Sequence, residues 1–354
     1  MNSSTSSSDP AAWRRFCGFL LAATLALAAV IYAFIALVDP FDTLALSLPL
    51  DRSPITTNAR YAFPALARSA RFDSVILGTS TSRLLRPSEL DPLFNAHFAN
   101  LAMNSATAYE QWRLGALFAR HHPEAKVALI GVDIAWCQEG DDVANYTERS
   151  FPEWMYGESR WKDYLEIFNL YALEQAGIAF GVFTGLEPRR YGRDGYTAFT
   201  PDDATYDLAR AHTHLYPNGV VASPAPVVPP VTMSAEERHA LRLPALAHLR
   251  PLLDAMPVAE KLLFFVPYHV TAQPHPGSRE AIVWDECKER VAAVAAAVPR
   301  TRLVDFMVAS PITSEDSNYW DPLHYRVGIA TWLATALRAA ADGPPRREAA
   351  YVVR

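Results

Sequence analysis

Three cysteines in 354 residues are too few for a disulfide-built scaffold, and no CxxC spacing offers a zinc site. Positive charge is not in excess either. Lys and Arg number 32 against 38 Asp and Glu, a net charge of −6, which disfavours a nucleic-acid surface. No Walker pattern and no G-x-G-x-x-G occurs, so no cofactor is expected. His121, His122, His269 and His275 lack any recognised ligand spacing, and no metal site is expected. Internal repeats are also missing.

Half the residues are apolar, enough for a large core. The longest apolar run is "FCGFLLAATLALAAVIYAFIALV", residues 16–38, which carries no charge and suffices to cross a bilayer as a helix. Arg14 and Arg15 precede it while Asp39 and Asp42 follow. The positive-inside rule therefore leaves the tail 1–15 in the cytoplasm and the rest in the periplasm or outside, on a single-pass inner-membrane anchor. A cleaved signal peptide is the competing reading, but the run exceeds the usual signal core and no clear small-residue cleavage site follows. Cys17 stands before the apolar core, which argues against a lipoprotein. In an oxidising compartment Cys137 and Cys287 could pair, but no spacing brings them together, and free, half-buried thiols are expected.

Residues 39–70 contain several prolines and no sustained period, as in a juxtamembrane linker. The pattern then changes. "DSVILG" (73–78), "AHFANLAM" (96–103), "KVALIGVDIAW" (126–136), "KLLFFVPYHV" (261–270) and "TRLVDFM" (301–307) read as strands. Helical spacing separates them at 106–122, 278–298 and 327–341, and a capping box at Ser234 and Glu237 opens the stretch 234–256. Continuous apolar strands alternating with helices predict an α/β domain over 71–341, built on a parallel sheet covered on both faces. An aromatic-rich segment, about 140–230, reads as an insertion able to roof a site at the strand ends, or as extra packing on the core. Residues 342–354 are expected to be a frayed tail.

Ligand crevices of parallel sheets lie beyond the carboxyl ends of the strands, where "GTSTSR" (78–83) falls. On its own the cluster reads as a turn or a helix cap. A serine nucleophile also needs a histidine base and an orienting carboxylate. "SNYWDPLHYRVG" (317–328) supplies both, with Asp321 three residues before His324.

With these two blocks the chain resembles the SGNH/GDSL hydrolase superfamily, whose members have a flavodoxin-like three-layer fold and mostly hydrolyse or transfer O-acyl esters. The resemblance implies Ser80 as nucleophile, at the start of the next helix, with His324 as base and Asp321 as its partner. Ser82 is the alternative, further into the turn. Ser105, at the end of "NLAMNS", would offer an oxyanion N–H. Gly131 of "GVDI" aligns, but Asp133 stands where that family has an oxyanion-hole asparagine, and Thr79 where it usually has aspartate. An ionised Asp133 would repel an oxyanion, so it must be protonated, turned away or otherwise employed, with Asn104 as replacement donor. Arg83 is assigned to an anionic substrate group or a salt bridge, and His269 to a substrate contact or simple packing. With the anchor, the arrangement is similar to proteins of alginate O-acetylation and teichoic acid D-alanylation. That likeness implies an acylated envelope polysaccharide as substrate, acetyl as the acyl group, and a membrane O-acyltransferase as partner. A catalytically inactive scaffold protein is the competing class.

Overall fold

A computed structural model describes residues 9–354 except 51, 53, 190, 220, 222 and 223. The expected cytoplasmic tail thus lies outside the described residues over 1–8. Helix α1, Pro10–Val38, starts where the Asp9 carboxylate accepts the Ala11 N–H, and it ends at Asp39 in a left-handed conformation. At 1.5 Å per residue it is about 43 Å long, more than a bilayer core of about 30 Å requires. It is the one helix among the described residues long and apolar enough to cross a membrane. Only its last turns, with Ile35 and Val38, are buried in the protein.

The segment 39–70 is not the featureless linker expected. Helix α2, Ala59–Arg68, is capped by Asn58 and buries Ala59, Phe63, Leu66 and Ala67. Pro64 in its middle and its ten-residue length hide the period in the sequence. Along the chain follow β1 (Ser74–Leu77), α3 (Pro87–Phe94), β2 (Phe98–Asn100), α4 (Ala108–His121), β3 (Val127–Val132) and α5 (Ile134–Cys137). The aromatic-rich region contributes α6 (Asp163–Glu166), α7 (Leu170–Thr184) and α8 (Leu208–Leu215). After these come α9 (Ala235–Ala240), α10 (Leu249–Asp254), β4 (Glu260–Phe265), α11 (Arg279–Ala296), β5 (Thr301–Asp305), α12 (Val327–Asp342), β6 (Arg346–Arg347) and β7 (Val352–Val353). The capping box at Ser234 and Glu237 forms, but the stretch 234–256 breaks into α9, a tight turn at Pro244–His248, and α10. Pro244 lacks the N–H that a continuous helix would need.

Strand order is β2-β1-β3-β4-β5-β7-β6. The first five are parallel, as expected, whereas β7 runs antiparallel to β5 and β6 antiparallel to β7. The sheet is therefore mostly parallel but mixed, in an α/β fold. This corrects both the all-parallel expectation and the frayed tail. Tyr351 and Val353 are buried, Tyr351 packing against Phe306 and Trp332, so the last residues close an edge that β5 would otherwise expose. Every residue of β1 and β3 is buried. Successive side chains point to opposite faces, so both faces of the sheet are covered.

Two thiols expected to be free are joined: Cys137, the last residue of α5, forms a disulfide with Cys287 of α11, Cα atoms 5.6 Å apart. Their separation of 150 residues is closed by α11 packing on α5. Cys17 is free and exposed.

Candidate active site

The chain turns at Gly78 directly after β1, and β3 lies beside β1 with Gly131 close by. A Cβ on Gly78 would stand 2.3 Å from Ser82 Oγ, and one on Gly131 would stand 1.8 Å from it. The two glycines thus make room for Ser82, which is fully buried with its hydroxyl unpartnered among the described residues. Ser82 is a wedge between strands. Gly131 serves that packing, not an oxyanion.

Ser80 is half-buried, and its Oγ lies 2.8 Å from His324 Nε2. The Nδ1 of His324 lies 2.7 Å from Asp321 Oδ2. Asp321 Oδ1 accepts the backbone N–H groups of Leu323 and His324, each at 2.9 Å. Burial alone would raise the Asp321 carboxyl, but the imidazole and these two N–H groups outweigh it and hold it below the ordinary carboxylate value. An ionised carboxylate only accepts, so Nδ1 carries the proton and Nε2 is left to accept from the serine hydroxyl. Residues 244 apart meet because the loop after β5 folds back over the turn after β1. Tyr325, fully buried, donates its hydroxyl to the Thr81 carbonyl and ties the two segments together. Phe199, from the aromatic-rich insertion, sets its ring edge-on to the imidazole at 5.1 Å.

The turn continues as a three-residue tight helix, Ser82–Leu84, not as the α-helix expected after Ser80. No α-helix N-terminus therefore begins at Ser80, and the free N–H groups beside it belong to loop backbone. The N–H groups of Ser80 and Ser105 have no partner among the described residues. Ser105 has φ +54°, a left-handed conformation that glycine adopts more readily than serine. Its loop is held from beneath: Arg60 forms a buried ion pair with Glu110 and donates to the carbonyls of Asn104 and Ser105.

Asp133, with Thr79, lines the same cleft as Ser80, and both of its carboxylate oxygens are engaged. Its Oδ1 accepts the Ala135 N–H at 3.0 Å, capping α5, and its Oδ2 accepts the Thr79 hydroxyl. Burial pushes its carboxyl up to about 6, against the lowering effect of those two donors. The two positions that depart from the resembled family, Thr79 and Asp133, are therefore each other's partner.

Two other expectations change, for Arg83 and Asn104, and His269 takes the packed one of its two expected roles. Arg83 is buried, donates to Asn104 Oδ1 at 2.8 Å and lies over the Tyr191 ring, with no carboxylate partner among the described residues. Asn104 is thereby engaged and does not line the cleft. His269 is fully buried and bonded to Asp316 and Thr271, so it is no substrate contact. Burial lowers its imidazole, more than Asp316 raises it. Asp316 also receives the Tyr216 hydroxyl and faces His212 at 2.9 Å, which joins α8 to the loop carrying Asp321 and His324. The backbone N–H of His269 also donates to the Pro322 carbonyl of that loop at 2.9 Å.

Beside the serine opens a cleft of about 390 Å³ lined by Ser80, Ser105, Ile134, Val143, Tyr146 and Tyr268, among others. Val143 and Tyr146 come from the aromatic-rich insertion and line this cleft. Sequence reasoning missed Tyr268, two residues beyond the apolar run of β4, and Tyr325, the neighbour of His324. No group of His, Cys, Asp and Glu able to hold a metal occurs among the described residues. No family model matches the sequence, and no curated protein matches it.

Proposed function

We propose that this chain is a membrane-anchored, extracytoplasmic serine ester hydrolase or O-acyltransferase of SGNH type, acting on acyl esters of an envelope polysaccharide. The observation that carries the reading is the hydrogen-bonded series Ser80–His324–Asp321 at the carboxyl ends of parallel strands, beside an open cleft.

Ser80 Oγ attacks the ester carbonyl carbon while His324 Nε2 takes its proton, and Asp321 stabilises the imidazolium. The tetrahedral oxyanion receives the backbone N–H groups of Ser80 and Ser105. When the carbon–oxygen bond breaks, Nε2 returns the proton to the leaving alkoxide. The acyl-Ser80 is then attacked by water in a hydrolase, or by a sugar hydroxyl in a transferase, with the same base. No cofactor enters these steps. In this reading α1 is a single-pass anchor with its N-terminus cytoplasmic, and a membrane acyltransferase is the partner that donates or receives acyl groups.

The scaffold reading drew on an ionised Asp133 facing the oxyanion, and both carboxylate oxygens are instead engaged by Thr79 and Ala135. A fluorophosphonate probe on the full chain discriminates. Labelling at Ser80 that disappears in Ser80→Ala and His324→Ala supports the enzyme, and a folded wild type that stays unlabelled while binding oligosaccharide supports the scaffold.

A further inference from the structure

The region that packs on the end of α1 exposes large apolar side chains. Trp161, Leu165, Phe168, Leu170, Phe180 and Leu186 are each at least half exposed, Leu165, Leu170 and Leu186 at 80% or more. Apolar groups scattered singly are ordinary, but these six fall within 26 residues around one helix, α7, that itself touches α1. From 175 to 186 that segment carries no charge.

Its orientation follows from two ring contacts. Tyr32 of α1 meets Phe168 at 5.7 Å, and Phe34 of α1 meets Phe180 at 6.1 Å. Along α1 those positions are about 3 Å apart, whereas the stretch of α7 from 170 to 180 is about 15 Å long. Helix α7 therefore runs across α1, not alongside it. Its level follows from the same rise. Twenty residues separate Arg14 from Phe34, about 30 Å, one hydrocarbon thickness. With α1 upright in a bilayer and Arg14 at its inner boundary, a helix crossing at residues 32–34 would lie at the far boundary and in its plane.

We infer that α7 and the loop before it form a second membrane contact, an interfacial seat whose exposed apolar side chains enter the outer leaflet beside α1. The inference rests on reading α1 as a membrane span. A lipid surface is the occupant because the patch adjoins α1, whose apolar window is only 11% buried in the protein, and the exposed charges Lys162, Glu166 and Glu174 fall where headgroups would meet them. Trp161, stacked on Tyr164 at 5.8 Å, is of the residue type that populates the headgroup level. Glu174, the one charge on α7, lies toward its N-terminal end, before the uncharged stretch. Two points of attachment fix the tilt of the domain and the height of its cleft above the bilayer.

The test is nitroxide accessibility in the full chain, carrying Cys17→Ser and reconstituted into nanodiscs of phosphatidylcholine and phosphatidylglycerol. Single labels are placed by Leu165→Cys, Leu186→Cys, Leu25→Cys in α1, and Glu236→Cys as an exposed control. All four positions are exposed, so the fold is retained, which an unchanged thermal transition verifies. Labels at 165 and 186 are expected to favour oxygen and to collide with an aqueous nickel chelate on the order of tenfold less than the label at 236, as at 25. Lipid exposure at 25 with water exposure at 165 and 186 overturns the seat and leaves the anchor. Water exposure at 25 removes the anchor and the seat with it. Labels at 165 and 186 shielded from both reagents would mean a protein covers the patch, which also overturns the proposal.

Discussion

Replacing Asp133 by asparagine turns a buried carboxyl into a neutral amide of the same shape, and the consequence depends on pH in a way that can be worked out. The folded protein holds this carboxyl at about 6 against an ordinary 3.8, burial being the main cause. A raised carboxyl means that the folded state binds the proton more tightly than the unfolded chain, so wild-type stability falls as pH rises from about 4 to about 6 and is level above that. The full penalty, present wherever the group is ionised in both states, is about 3 kcal/mol, and roughly 1 kcal/mol of it is already felt at pH 4.5. Asparagine does not titrate. It keeps an acceptor for the Ala135 N–H and sets an amide against the Thr79 hydroxyl, an exchange worth no more than about 1 kcal/mol. Asp133→Asn should therefore gain about 2 kcal/mol over wild type between pH 4.5 and pH 8. Urea unfolding of the full chain in mild detergent at the two pH values measures this. Parallel profiles for variant and wild type would refute the assignment of a buried, ionising Asp133. Fluorophosphonate labelling should persist in the variant, since both side-chain oxygens of Asp133 are bonded to Thr79 and the Ala135 N–H and neither donates to an oxyanion.

Ser82→Ala removes a buried hydroxyl with no partner among the described residues and should leave stability unchanged or raise it by about 1 kcal/mol, with labelling retained, in contrast to Ser80→Ala. Loss of labelling in the Ser82 variant would reopen the choice of nucleophile. In Asp321→Asn the amide oxygen stays on the Leu323 and His324 N–H groups and the NH2 faces Nδ1, so the His324 proton is no longer held there, and the rate of labelling should fall about 10³–10⁴-fold while the thermal transition stays in place. Reducing the Cys137–Cys287 bond opens a 150-residue loop, for which chain entropy gives about 5 kcal/mol and native disulfides more often about 2–5. Unfolding midpoints with and without reductant read this directly, and an unchanged midpoint would show that the bond adds nothing.

Near neighbours along the chain determined what the sequence revealed by itself. The apolar run of α1, the β-branched runs of β1 and β3, the spacing of α4 and the capping box at Ser234 all depend on residues a few positions apart. So does the pairing of Asp321 with His324, three residues away in one turn. Meetings between distant segments were decided only by the tertiary structure. The Thr79–Asp133 bond needs β1 beside β3, and the Cys137–Cys287 bond needs α5 against α11. Arg83 finds an amide and an aromatic ring in place of a carboxylate, and β7 finds the open edge of β5. Periodicity records which face of an element is apolar, and it carries no term for which other element that face will meet.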